Sequence, residues 1–112
     1  MITFLKLLFS AILIAIISAT VWASQHYSVW QAFSDLWRDP WGRATLFDAY
    51  FAFLTFYVWV FYKERCWAYR LLWFVLVMGF GNIGMSLYML IQLFRLRPGE
   101  GVEELLLKRK PA

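Results

Sequence analysis

Residues 71–94 read LLWFVLVMGFGNIGMSLYMLIQLF, a run without one charged side chain. A helix crossing the ~30 Å hydrocarbon layer of a bilayer needs about 20 residues of this kind. In hydrocarbon every backbone amide must find its partner within the segment, so the run predicts a helix and not an open strand. Two further stretches fit the same description. Residues 3–23 carry one charge, Lys6, and residues 44–62 carry one, Asp48. The expectation is an all-α polytopic membrane protein with three transmembrane helices in a single domain, residues 1–112.

The whole composition points the same way. The chain has 112 residues, 62% hydrophobic and 16% charged, with a mean hydropathy of +0.60. An ordinary soluble domain is about half apolar and a quarter charged. Eleven Phe, seven Trp and six Tyr deepen the excess. These numbers argue against a soluble enzyme, a disordered tail and a nucleic-acid module. The net charge is +4, but the bases sit beside apolar runs, so anionic lipid headgroups are the expected partner and nucleic acid is not. One cysteine, Cys66, excludes an intramolecular disulfide. One histidine, His26, builds no zinc or haem site, so neither metal nor cofactor is expected.

The segments between the spans have their own patterns. In residues 28–38, Val29, Trp30, Phe33, Leu36 and Trp37 recur at helical spacing, opposite Gln31, Ser34, Asp35 and Arg38. This predicts an amphipathic helix lying in the headgroup plane. Asp39-Pro40 then resets the chain, because Pro40 suits the first position of a helix capped by Asp39. Residues 63–67, Lys-Glu-Arg-Cys-Trp, read as a tight polar turn in which Glu64 is solvated. After the third span, residues 97–101 break the helix, and the tail at 97–112 is a short amphipathic piece with acids first and bases last. Val21-Trp22-Ala23 resembles a signal-peptide cleavage site, but the long apolar stretch before it favours a retained anchor.

Three passes place the termini on opposite sides. Lys6, Lys63, Arg65 and Arg70 then share one side. Arg38, Arg43, Arg95, Arg97 and the tail bases Lys108, Arg109 and Lys110 share the other. The bias points to a cytoplasmic C-terminus in a cell membrane.

A few polar and small residues stand out against the apolar background. Asp48 lies inside the second span and, at helical spacing, shares a stripe with Thr55, Trp59 and Tyr62. A carboxylate at that depth is costly and reads as functional unless it stays shallow, against headgroup water or Arg43. Residues 79–84, GFGNIG, match G-x-G-x-x-G, but dinucleotide binding needs that pattern between a strand and a helix. In an uncharged run the better reading is helix contact, with Asn82 near the midplane on a face with Gly79 and Ser86. Those glycines also allow a kink. Ala11, Ala15, Ala19 and Ala23 recur every fourth residue and predict a helix-packing stripe.

From residue 40 onward the pattern is familiar. Pro40-Trp41, Ala44-Thr45-Leu46 with Asp48 and Tyr50, Val58-Trp59, Tyr62-Lys63-Glu64 with Trp67, Gly81-Asn82-Ile83, Tyr88 and Gln92-Leu93-Phe94 carry a resemblance. It is to an uncharacterised family, a domain of unknown function, of small three-helix membrane proteins in bacteria and plants. The resemblance implies a compact membrane bundle and transfers no catalytic residue. The expected function is a non-enzymatic accessory or assembly subunit, or a lipid- or pigment-binding module, acting as a homo- or hetero-oligomer with room for an apolar ligand. Two alternatives use the same residues. One is an acid-catalysed isomerase or cyclase of an isoprenoid-like substrate, with Asp48 as the proton donor. The other is a small-solute transporter that lines its path by oligomerising.

Overall fold

Asp39-Pro40 forms the first boundary, as its chemistry predicts. The Asp39 carboxylate accepts a hydrogen bond from the Gly42 N–H at 2.8 Å, and Pro40 takes the first helical position. In the computed structural model, which describes residues 1–108, six helices follow in order. They are α1 (Ile2–His26), α2 (Val29–Arg38), α3 (Pro40–Lys63), α4 (Trp67–Phe80), α5 (Asn82–Phe94) and α6 (Val102–Leu106). Among the described residues there is no strand, so the all-α expectation holds.

The expectation of three spans does not hold. Two helices, α1 and α3, are long and apolar enough to cross a membrane. Residues 71–94 do not form the third. They break at Gly81, whose φ of 57° and ψ of −122° lie where only glycine sits without strain. The chain folds back there, and α4 and α5 become an antiparallel hairpin around one residue. Its register is visible in the pairs it makes. The rings of Trp73 and Tyr88 lie 4.8 Å apart, and a Cβ on Gly84 would stand 2.6 Å from the Leu76 carbonyl oxygen. Two glycines therefore make the fold-back: Gly81 turns it, and Gly84 lets the two backbones close. Apolarity alone does not distinguish a helix that crosses from one that doubles back.

The hairpin packs along only part of α3. Glu64, Arg65 and Cys66 turn the chain from α3 into α4, and Arg70 secures the corner. Its Nε donates to the carbonyls of Phe61 and Glu64 at 3.1 and 2.9 Å, and its guanidinium covers the rings of Phe61 and Trp67. From there α4 runs back antiparallel to α3, with the Tyr57 hydroxyl donating to the Arg70 carbonyl at 2.8 Å. The Gly81 tip reaches Phe53, about half-way along α3. Helix α5 then returns toward the Lys63 end against the first half of α1.

Two clusters form the core. Val60, Trp73 and Tyr88 pack with Phe56, Tyr57, Trp59, Leu76 and Ile91. Leu90, Leu93 and Leu105 pack with Ile2, Leu5, Phe9 and Leu13. In α6 the Glu104 carboxylate accepts from the Gly101 N–H at 2.7 Å, and the helix ends before Lys108. The end of the described tail docks on α3. Lys63 Nζ donates to the Leu105 carbonyl, Trp59 Nε1 to the Leu106 carbonyl at 2.9 Å, and the Lys108 N–H to the Tyr62 hydroxyl at 3.2 Å. Arg109 and Lys110, counted in the basic tail, lie outside the described residues.

At the opposite end α2 crosses the start of α3. A Cβ on Gly42 would come within 2.5 Å of the Leu36 carbonyl oxygen, so this crossing requires a glycine. Arg43 donates to the Trp37 carbonyl at 2.9 Å and stacks on the Trp37 ring. The apolar face of α2 stays uncovered, and Trp30 is 83% exposed.

Candidate functional site

The hairpin brings together residues far apart in sequence. Glu64 ends α3, Tyr69 and Leu72 belong to the first turns of α4, and Ile91, Gln92 and Arg95 close α5. Together with Trp73 they line a cleft of about 270 Å³ at the open end of the hairpin. A carboxylate, a guanidinium and an amide face one space with a phenol and apolar side chains at its walls. Gln92 is only 7% exposed. Behind the cleft lies Tyr88, fully buried, its ring edge-on to Trp59, Trp73 and Phe56. Its hydroxyl sits close enough to Glu64 and Arg95 to feel their charge and is turned to the Glu64 carboxylate, yet makes no well-formed hydrogen bond among the described residues. A buried hydroxyl without a partner carries a desolvation cost that native cores rarely leave standing.

The stripe expected around Asp48 is divided by the fold. Trp59 and Tyr62 hold the tail, as described above. Thr55 donates its hydroxyl to the Phe51 carbonyl at 2.9 Å, within its own helix. Asp48 is exposed and makes no hydrogen bond or ion pair with any described residue. Arg43 is taken by Trp37. At 1.5 Å per residue, Asp48 stands about 16 Å along the helix from Trp59 and about 21 Å from Tyr62.

The face expected from Gly79, Asn82 and Ser86 is also divided, because the break at Gly81 puts Gly79 on α4 and the other two on α5. Gly79 is exposed and a Cβ there would touch nothing within 4 Å. Ser86 is buried and donates to the Asn82 carbonyl at 2.5 Å. The Asn82 side chain is exposed at the hairpin tip, where a second cavity of about 260 Å³ opens between Phe9, Phe56, Met85 and Met89. Ala11, Ala15, Ala19 and Ala23 are all exposed. The last two line a shallow apolar hollow of about 330 Å³ with Tyr27, Val29 and Ala32. Among the described residues, no group of three or more His, Cys, Asp or Glu is placed to hold a metal.

A family model described as "protein of unknown function (DUF1475)" matches residues 2–111. The chain belongs to this family. No curated protein and no solved structure matches it. The match extends the resemblance read from residue 40 onward to the first helix of this DUF1475 protein.

Sequence reasoning treated Glu64 as a solvated turn residue, used Arg95 only for orientation and Gln92 only in the family resemblance, and placed neither these nor Tyr69 in a site. Glu64 and Arg95 are 31 positions apart, and nothing in their local patterns joins them. One signal was present. Gln92 and Tyr88 are polar side chains four apart in an otherwise apolar run, a spacing that places both on one helix face.

Proposed function

We propose that this DUF1475 protein is a membrane-embedded, non-enzymatic accessory or assembly subunit. In this reading α1 and α3 cross the bilayer, and the α4–α5 hairpin enters from one face and returns to it. Helix lengths support the placement. At 1.5 Å per residue, α1 and α3 extend about 37 and 36 Å, beyond the ~30 Å hydrocarbon layer, whereas α4 and α5 reach only about 21 and 20 Å. The hairpin tip beside Phe53 falls near the midplane. Backbone turned at that depth is tolerated where protein covers it, as Phe53 covers Gly81.

Two crossings bring both termini to one side, in place of the opposite sides that three would require. Lys6, Lys63, Arg65, Arg70, Arg95, Arg97 and Lys108 gather at that end, and the other carries Arg38 and Arg43. The positive-inside rule makes the crowded end cytoplasmic, with α2 lying along the opposite headgroup layer on its tryptophans.

The observation that carries the subunit reading is that the side chains of Asp48 and Asn82 are exposed at membrane depth with no hydrogen-bond partner among the described residues. Asp48 lies about 12 Å along α3 from Pro40. On insertion scales an aspartate at a helix centre costs about 2.5–3.5 kcal/mol, and such groups turn toward protein. Asp48 meets no described partner and Asn82 lines a cavity whose other walls are largely apolar, so helices of another chain supply the polar partners. The exposed alanines of α1 offer a surface for close approach. The isomerase reading draws no support from Asp48, since Trp59 and Tyr62 lie far from it and hold the tail.

Native mass spectrometry of the protein released from its own membranes tests this. The expected result is a complex, with itself or with another polypeptide. Intramembrane polar contacts are worth ~0.6–2 kcal/mol, so Asp48→Asn and Asn82→Leu should each weaken it roughly three- to thirty-fold. A wild-type chain recovered as a lone monomer overturns the proposal.

A further inference from the structure

We infer that the cleft between the open ends of α4 and α5 binds the headgroup of a zwitterionic amphiphile, its phosphate at Arg95 and its ammonium at Glu64. The inference rests on the membrane placement above for its lipid source, and on the cleft alone for its chemistry.

Four observations lead there. The first is charge. Glu64 and Arg95 face one space of about 270 Å³ with opposite signs. A purely anionic ligand would meet the carboxylate and a purely cationic one the guanidinium, whereas a phosphate joined to an amine matches both. The second is geometry at the phosphate. A guanidinium presents a planar fork of donors suited to phosphate oxygens, and the Gln92 amide beside it adds further donors. The third is Tyr88, fully buried, its hydroxyl turned to the Glu64 carboxylate and near Arg95 but without a well-formed hydrogen bond among the described residues, which makes the inner side of the cleft polar. The fourth is the wall. Leu72 and Ile91 line the cleft, and the apolar surface runs on over the exposed side chains of Leu71, Leu72 and Val75. That track leads away from the charges, as an acyl chain does from its headgroup. The volume is below the ~300–1,000 Å³ of sites that enclose whole drug-sized ligands and fits a headgroup better.

The test measures binding to the full-length protein in detergent by native mass spectrometry and thermal shift. The probes are phosphatidylethanolamine, phosphatidylglycerol and soluble phosphoethanolamine, and far-UV circular dichroism verifies folding of each variant. Wild type should retain phosphatidylethanolamine in preference to phosphatidylglycerol. Glu64→Gln should abolish that preference while leaving phosphatidylglycerol binding equal or stronger. Arg95→Gln should weaken both lipids about tenfold or more, with Arg95→Lys recovering part of the loss. Equal binding of the two lipids by wild type, or a preference that survives Glu64→Gln, overturns the inference. Soluble phosphoethanolamine separates the sources. Binding weaker than the lipid's supports a membrane ligand, and binding as tight as the lipid's overturns the amphiphile while leaving the headgroup chemistry in place. If carbonate extracts the protein from membranes, the two-span placement fails and the soluble probe still decides the cleft.

Discussion

The two halves of the molecule are differently built. At the Lys63 end four helices and the docked tail enclose Val60, Trp73, Val77, Tyr88, Leu93 and Leu105. At the Arg38 end only the second half of α1, the first half of α3 and α2 remain, and Gly42 is the one buried residue among these described elements. The first half carries its own core. The second leaves Trp22, Trp30, Phe47 and Phe51 exposed.

The sharpest way to break this comparison is to remove one large aromatic from each half. Tyr88→Ala should destabilise the detergent-solubilised protein by about 3–5 kcal/mol, because the rings packed around it cannot close the hole. Trp30→Ala should leave thermal stability unchanged within about 0.5 kcal/mol. Equal losses would mean that the exposed end has a core of its own. Next in size is Gly81→Ala. A side chain there meets an unfavourable φ and the Phe53 ring, with a Cβ to Cζ distance of 2.7 Å. The expected cost is about 2–4 kcal/mol, seen as a lowered Tm and loss of proximity between positions 73 and 88 by crosslinking. At the far end, Asp39→Ala removes the cap of α3 and should cost about 0.5–2 kcal/mol, read from thermal melts.

The smallest effect concerns Tyr27, whose hydroxyl donates to the Asp35 carboxylate just beyond α1. That hydrogen bond raises the phenol above its ordinary value of 10.0. The neutral form is the one favoured, so the link between α1 and α2 is intact below pH 10 and is lost as pH rises through the raised value. Absorbance at 295 nm should show Tyr27 titrating late, and Asp35→Asn should move it back toward 10.

What could be read in advance follows a physical rule. The cap at Asp39-Pro40, the amphipathic α2 and the polar turn after Lys63 all depend on neighbours in sequence, and the structure has them where their residues place them. The hairpin depends on one backbone conformation at Gly81 inside an uncharged run, and hydropathy is blind to φ. GFGNIG held the necessary glycines, yet the same letters suit close packing in a straight helix. Once the run doubles back, Glu64 meets Arg95 and the cleft exists. In a straight third helix those two groups would lie at opposite ends. The Asp48 stripe shows the converse error, since a shared helical face does not make a shared site when its residues span four turns.

The single-residue turn at Gly81 also bears on how the chain enters a bilayer. In the proposed placement, a hairpin that leaves by the face it entered hands no polar segment across. Among the described residues, the stretch that must be carried through is the one between α1 and α3 with the first turn of α3, where Asp35 and Asp39 offset Arg38 and Arg43. Translocation then moves a short, nearly neutral load headed by tryptophans that settle at the far interface. Lys6, Lys63, Arg65, Arg70, Arg95, Arg97 and Lys108 stay on the side where they were made.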